Sequence, residues 1–122
     1  MRKYHNKKTE VDGILFDSRK EADYYIKLKA RLHTGQISNL QLQVPFELLP
    51  SIWKDELKHL KTKDKIVRKC MQKAVNYIAD FVYTDNSTGA EVVVDVKGVK
   101  TKEYRLKKKM MLALKGIEIT EV

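Results

Sequence analysis

Two apolar segments that carry charged residues constrain the fold of this chain most strongly. Segments 76–83 and 91–98 are rich in β-branched and aromatic residues and are bounded by turn-forming residues, so both are predicted to be buried strands. The connecting segment 84–89 contains Asp, Asn, Ser and Gly, which favour a short turn. The sequence therefore predicts a hairpin that places the two strands side by side.

Both predicted strands contain charged residues where burial is expected. Asp80 lies within the first strand, and Asp95 and Lys97 lie within the second. Because side chains two residues apart share a face of a strand, Asp95 and Lys97 point the same way. A buried charge is costly unless it is paired or bound to metal, so the pattern favours a functional site. Taken alone, Asp95 and Lys97 also fit a simple ion pair on an edge strand.

Further strands are predicted in the N-terminal half. Residues 9–16 fit a small hairpin, because Asp12-Gly13 at its centre suits a type I′ turn. Residues 37–49 alternate between apolar and polar side chains, which is typical of a half-buried strand. Pro45 within this strand favours an edge position or a bulge, since proline cannot donate a hydrogen bond to a neighbouring strand.

The first helix is predicted between Ser18 and Gly35. Ser18 and Glu21 have the spacing of a capping box, in which each side chain satisfies a backbone N–H group of the first turn. Gly35 suits the end of the helix. The capping role explains Glu21 without any catalytic function, so both interpretations of this residue stay open.

Segment 50–73 is the most basic part of the chain, and its sequence fits two structures. It could form a projecting hairpin that turns near Lys63-Asp64, or a short helix. Trp53 is its largest apolar side chain. Its eight basic residues are Lys54, Lys58, Lys61, Lys63, Lys65, Arg68, Lys69 and Lys73.

The C-terminal region predicts a helix followed by a short strand. Thr101 caps a helix that runs to about Leu114, Gly116 ends it, and residues 117–120 alternate as a last strand. Together with the preceding elements, this order predicts one α+β (α/β) domain over residues 1–122, with a mixed sheet. Residues 1–8 are polar and basic, and are expected to form a flexible arm.

A basic stripe is predicted on the C-terminal helix. Lys102, Arg105 and Lys109 lie at three- and four-residue spacing and so share one face, while Lys107 and Lys108 are expected to point elsewhere. Beside a functional site such a stripe would suit contacts with phosphate groups. The alternative is an ordinary solvated face.

Composition narrows the classes of partner. The chain has 25 Lys and Arg against 16 Asp and Glu, a formal net charge of +9, which favours a polyanion such as nucleic acid over a neutral ligand. No segment is apolar enough to suggest a membrane span or a signal peptide. Cys70 is the only cysteine, so an internal disulfide is excluded and an intracellular location is expected. No zinc-type spacing of Cys and His is present.

The motifs together resemble the PD-(D/E)XK nuclease superfamily. An acidic residue on the first helix is followed by Asp in one strand, by Asp-x-Lys in the next, and by a helix. Segments 16–21, 77–83 and 94–98 are similar to a family of small, mostly uncharacterised phage and prophage proteins. The first half is also similar to the nuclease domain of a transposase subunit that cuts transposon ends. Ala79 departs from the pattern, because it stands where the name-giving motif has proline.

The resemblance implies a restriction-endonuclease-like core, with a four-stranded mixed sheet flanked by helices, and Mg²⁺-dependent hydrolysis of DNA. It implies that Asp80 and Asp95 bind the metal, that Lys97 is the catalytic lysine, and that Glu21 completes the metal shell. Gln43, on the polar face of its strand, is a candidate for lining the DNA cleft. Mn²⁺ is expected to substitute for Mg²⁺, and no small-molecule cofactor is expected.

The leading hypothesis is a Mg²⁺-dependent DNA endonuclease of phage or prophage origin, located in the cytoplasm of a bacterial host. Because the chain is small, recognition of a branch, a Holliday-type junction or a DNA end by a homodimer is expected, on family analogy alone. A non-catalytic DNA-binding protein on the same fold and a protein-interaction or inhibitor module are the alternatives.

Overall fold

The structure, a computed structural model, describes residues 7–96 and 100–122. The predicted N-terminal arm therefore lies outside the described residues, apart from the exposed Lys7 and Lys8. The elements follow the chain in the order β1 (Thr9–Val11), β2 (Ile14–Phe16), α1 (Arg19–His33), β3 (Ile37–Leu49), β4 (Ile52–His59), β5 (Asp64–Gln72), β6 (Val75–Asp85), β7 (Glu91–Asp95), α2 (Lys102–Met110), a π-helical turn (Met111–Lys115) and β8 (Thr120–Glu121).

The predicted mixed four-stranded sheet is confirmed. Its strand order is β3-β6-β7-β8, with the first three strands antiparallel and β8 parallel to β7. The predicted central hairpin is β6–β7, whose register pairs Phe81 with Val94 and Thr84 with Glu91. The N-terminal hairpin β1–β2 is also confirmed, and positive φ angles of 53° at Asp12 and 76° at Gly13 fit a type I′ turn.

The two helices cover opposite faces of this sheet. Neighbouring residues of a strand point to opposite faces, and Phe81 packs with α1 while Val82 packs with α2. Val94 and Val93 on β7 divide in the same way. A fully buried side chain such as Phe81 contributes roughly 2–3 kcal/mol relative to an exposed one, so both layers are held by apolar burial.

The α1 layer begins at the predicted cap. The Ser18 hydroxyl accepts a hydrogen bond from the backbone N–H of Glu21 at 3.1 Å, and the helix starts at the next residue after Ser18. The helix then buries Ala22, Tyr25 and Leu28 against the sheet at three-residue spacing.

Strand β3 lies at the edge of the sheet, as Pro45 predicts, and its side chains alternate in exposure along its whole length. Two of its residues have positive φ angles, Asn39 at 54° and Gln43 at 51°. At Gln43 the packing of β3 changes, because Leu42 contacts the α1 cluster and Val44 contacts the α2 cluster.

Segment 50–73 forms a hairpin and not a helix. Strands β4 and β5 pair with each other as a separate two-stranded sheet, and every residue of β4 is exposed. The turn is closed by the backbone N–H of Leu60, which donates to the carbonyl of Lys63 at 2.9 Å, close to the predicted turn position.

The C-terminal helix has the predicted start and end, with a change of helical type near its end. Thr101 caps α2 by accepting from the backbone N–H of Tyr104 at 3.1 Å, and Gly116 ends the helical region with a φ of 67°. The last turn is π-helical. The last strand was expected at 117–120, but the strand that pairs with β7 covers only Thr120–Glu121.

Among the described helices, none combines the length and the apolar character that a bilayer span requires.

Candidate functional site

The hairpin β6–β7 brings Asp80 and Asp95 together. Phe81 pairs with Val94, so the next position along the hairpin sets Asp80 opposite Asp95. Oδ2 of Asp80 also accepts a hydrogen bond from the backbone N–H of Val96 at 2.8 Å, which fixes this carboxylate at the end of β7. The expected juxtaposition of the two acidic residues is therefore present in the fold.

Asp95 is the only buried charged residue among the described residues, with 1% of its surface exposed. Its Oδ2 accepts a hydrogen bond of 2.5 Å from the hydroxyl of Tyr77, which lies on the neighbouring strand β6. Burial, followed by the hydrogen bond to Asp95, raises the pKa of Tyr77, so its hydroxyl stays protonated and remains a donor.

A second tyrosine links this pair to the last strand. The ring centroids of Tyr104 on α2 and Tyr77 lie 6.4 Å apart, and the Tyr104 hydroxyl donates to Oε2 of Glu121 at 2.8 Å. Burial, and then the hydrogen bond to Glu121, raises the pKa of Tyr104. Both tyrosines therefore act as hydrogen-bond donors to carboxylates on the α2 face of the sheet.

Glu121 stands beside Asp95, because the parallel register of β7 and β8 pairs these two residues. Its Oε1 lies 2.9 Å from Nζ of Lys108 and 3.4 Å from Nζ of Lys100. The hydrogen bond from Lys108, then that from Tyr104, lowers the pKa of Glu121 to about 2. Three acidic residues thus occupy matching positions on three adjacent strands, and we call Asp80, Asp95 and Glu121 the acidic row.

Gln43 lies against Asp80, on the exposed side of the edge strand. Its amide Nε2 donates a long hydrogen bond of 3.4 Å to Oδ1 of Asp80. The positive φ of 51° at Gln43 accompanies this position. The structure therefore places this predicted cleft residue next to the acidic pair.

Two further residues, Lys97 and Glu21, are predicted to be catalytic. Lys97 lies outside the described residues. Glu21 lies in the first turn of α1. Within residues 7–96 and 100–122, no three His, Cys, Asp or Glu side chains converge as a metal-holding group. The role of Glu21 in the metal shell stays a prediction based on the resemblance.

Beside the acidic row, α2 and β8 form an open groove of about 480 Å³. Two members of the predicted basic stripe, Arg105 and Lys109, line the groove, whereas Lys102 is exposed outside this lining. Lys108 was expected to point away from the stripe but also lines the groove, because Glu121 holds its ammonium group. The lining residues are Lys100, Tyr104, Arg105, Lys108, Lys109, Leu112, Glu118, Ile119 and Glu121.

A family described as "Protein of unknown function (DUF1064)" matches residues 1–120. The chain belongs to the DUF1064 family. The match includes the whole hairpin β6–β7, α2 and the first residue of β8, so the acidic pair lies within it. No curated protein and no solved structure matches the chain.

In this DUF1064 chain, sequence reasoning missed two groups that contact the candidate site. Tyr77 was assigned only to the strand pattern, and Glu121 was not considered. The sequence signal for Tyr77 was its position three residues before Asp80 in a buried strand. Glu121 had no local signal, because only the parallel pairing of β8 with β7 places it beside Asp95.

The acidic pair has the chemistry of a site for a hard divalent cation. Mg²⁺ takes oxygen ligands, keeps several waters, and is often held by only one or two carboxylates together with substrate phosphates. Asp80 and Asp95 supply such oxygens from two adjacent, paired strands. The oxygen donors present therefore fit the ligand preference of a magnesium ion.

Proposed function

We propose that this protein is a Mg²⁺-dependent DNA endonuclease of the PD-(D/E)XK type. The observation that carries the proposal is the juxtaposition of Asp80 with the buried Asp95 on the hairpin β6–β7. A carboxylate that is 1% exposed is costly to bury, and a cation site beside a second carboxylate accounts for that cost.

Each residue of the site then has a definite task. Asp80 and Asp95 hold the metal ion, which when bound lowers the pKa of water and polarises a phosphoryl oxygen. The Tyr77 hydroxyl orients Asp95 from the protein side. Lys97 would position the attacking water or stabilise negative charge on the phosphoryl group, and the resemblance alone assigns Glu21 to the metal shell.

The groove next to the acidic row supports the choice of nucleic acid as substrate. Arg105 and Lys109 line it, and the chain has a formal net charge of +9. Lysine and arginine contacts to phosphates hold a duplex in register without reading its sequence. Lys102 on α2 and Gln43 beside Asp80 are further candidates for contacts with DNA. Shape-specific cutting of branched DNA by a homodimer is the finer form of the proposal, by family analogy.

A non-catalytic DNA-binding protein is the second candidate. The observation that favours it is that the described residues contain no group of three metal-binding side chains. Two carboxylates with a structural hydrogen-bond partner each could remain in a fold that has lost catalysis. The two candidates make opposite predictions for metal-dependent cleavage.

The decisive experiment compares the wild-type protein with Asp80→Asn on branched, linear duplex and single-stranded DNA, with Mg²⁺, Mn²⁺ or EDTA. An asparagine can still accept the hydrogen bond from Val96, so the variant should fold. Asp85→Asn is the matched control, because it removes the same charge from the same strand about 17 Å away. Metal-dependent cutting that only Asp80→Asn loses supports the nuclease. Folded wild-type protein that binds but does not cut supports the second candidate.

A further inference from the structure

The projecting hairpin β4–β5 gathers lysines on one of its two faces. Its register sets Lys54 directly opposite Lys69 and Lys58 directly opposite Lys65. Because side chains alternate along each strand, these four lysines point to the same face. We call this surface the lysine face; Glu56 and Val67, paired with each other, lie between the two lysine pairs.

This arrangement opposes the stability of the hairpin. Like charges directly opposite each other on paired strands are destabilising, and this face of the hairpin contains two such pairs on either side of Glu56 and Val67. A two-stranded hairpin is only marginally stable, and β4 and β5 pair with no other strand in the described part of the chain. The only anion on this face is Glu56, whose Oε2 lies 3.8 Å from Nζ of Lys69.

The opposite face has matched groups. Asp55 pairs with Arg68, whose guanidinium lies 4.9 Å from the ring centroid of Trp53. At the far end of the hairpin, His59 Nδ1 lies 2.8 Å from Oδ1 of Asp64. Of the two faces of the hairpin, only the lysine face therefore carries an excess of positive charge, and an external anion would relieve the repulsion there.

We propose that the lysine face binds the phosphate backbone of duplex DNA. The proposal rests on the proposed function and adds a second contact surface, separate from the groove beside α2. Adjacent strands lie about 4.8 Å apart, and pairs separated by four residues lie roughly 13 Å apart along the hairpin. A two-stranded ribbon fits the major groove, which is about 12 Å wide, and lysines at these spacings reach phosphates on its edges. Lysine acts there as a point charge without base specificity.

The test measures duplex binding by fluorescence anisotropy in EDTA over a range of salt concentrations, so that no cleavage occurs. Lys58→Gln/Lys65→Gln removes one facing pair from the lysine face. Lys61→Gln/Lys63→Gln, in the turn of the hairpin, removes the same charge elsewhere. Loss of two phosphate contacts should make the slope of log K against log salt shallower by about 1.8 and weaken binding roughly tenfold at low salt. The turn variant should change the slope by less than half of this.

Folding is controlled by a second variant. Lys58→Arg/Lys65→Arg keeps both charges and should bind as the wild type does, and the glutamine pair should not lower the melting temperature, since it removes a repulsion. Equal slopes for the face and turn variants would overturn the proposal, as would a slope change seen with single strands but not with duplex. Cleavage with Mg²⁺ is measured separately with Asp80→Asn. Failure of the nuclease proposal would therefore appear as absent cleavage, whereas failure of the lysine-face proposal would appear as an unchanged salt slope in EDTA.

Discussion

The hydroxyl of Tyr77 donates a 2.5 Å hydrogen bond to Oδ2 of Asp95, and both side chains are almost completely buried. This pair links the interior of the α2 layer to the candidate metal site. The bond gives both polar groups a hydrogen-bond partner in an apolar environment, where an unpaired polar group would be costly.

Removing the Tyr77 hydroxyl should destabilise the fold. Tyr77→Phe deletes a buried hydrogen bond to a charged group, so we expect the free energy of unfolding to fall by about 1.5–3 kcal/mol. Tyr104→Phe is the control. This variant should lose less free energy of unfolding, because Glu121 keeps its contact with Lys108. Urea denaturation of the three proteins measures the difference, and an equal loss in both variants would contradict the special position of Tyr77.

Two substitutions of Asp95 should differ in how much they destabilise the fold. Asp95→Ala leaves the buried Tyr77 hydroxyl without its acceptor and should cost about 1–3 kcal/mol, whereas Asp95→Asn keeps an acceptor and should cost less. Under the proposed function, Asp95→Asn still reduces cleavage by at least about 10²-fold, because metal-assisted charge stabilisation amounts to several kcal/mol. Thermal melts and single-turnover cleavage separate the two effects.

Glu121 should make stability depend on pH in the acidic range. Its pKa falls from 4.5 to about 2 in the folded protein, so its contribution is present above pH 4.5 and is lost as the pH falls towards 2. Urea midpoints measured from pH 5 to pH 2 should therefore decrease more steeply for the wild type than for Glu121→Gln. Parallel curves for the two proteins would show that the contacts with Lys108 and Tyr104 do not stabilise the fold.

Gly116 should resist replacement because of its backbone conformation alone. Its φ is +67°, and no atom within 4 Å would meet an added Cβ. Gly116→Ala is therefore expected to cost about 1–2 kcal/mol from left-handed strain, whereas Gly116→Asn should cost less, since asparagine tolerates that region. Chemical denaturation compares the two variants, and an alanine variant as stable as the wild type would exclude strain at this position.

Local signals in the sequence predicted most elements correctly. Ser18 and Thr101 cap the two helices, and Asp12-Gly13 forms the hairpin turn, because caps and tight turns depend on contacts within a few residues. The segment around Asp80 and its neighbour around Asp95 pair as expected, since a short turn leaves little other choice of partner.

Features that depend on contacts between distant parts of the chain were not fully predicted from the sequence. Segment 50–73 fitted a hairpin or a helix equally well, because it has no consistent apolar face to select one period. Lys108 was predicted to point away from the basic stripe. Helical spacing alone does not account for its ion pair with Glu121, which draws its side chain to the groove. The last strand was also predicted too early in the chain, because its bounds depend on pairing with β7, which is distant in sequence.

The sequence alone thus established the helix caps, the strands, the acidic pair on one hairpin and the excess of basic residues, all through local patterns and composition. The tertiary fold established that Tyr77 holds Asp95, that Glu121 completes the row on three strands, and that four lysines share a face of β4–β5. Strand register and parallel pairing bring together residues far apart in sequence, and no local pattern encodes these distances.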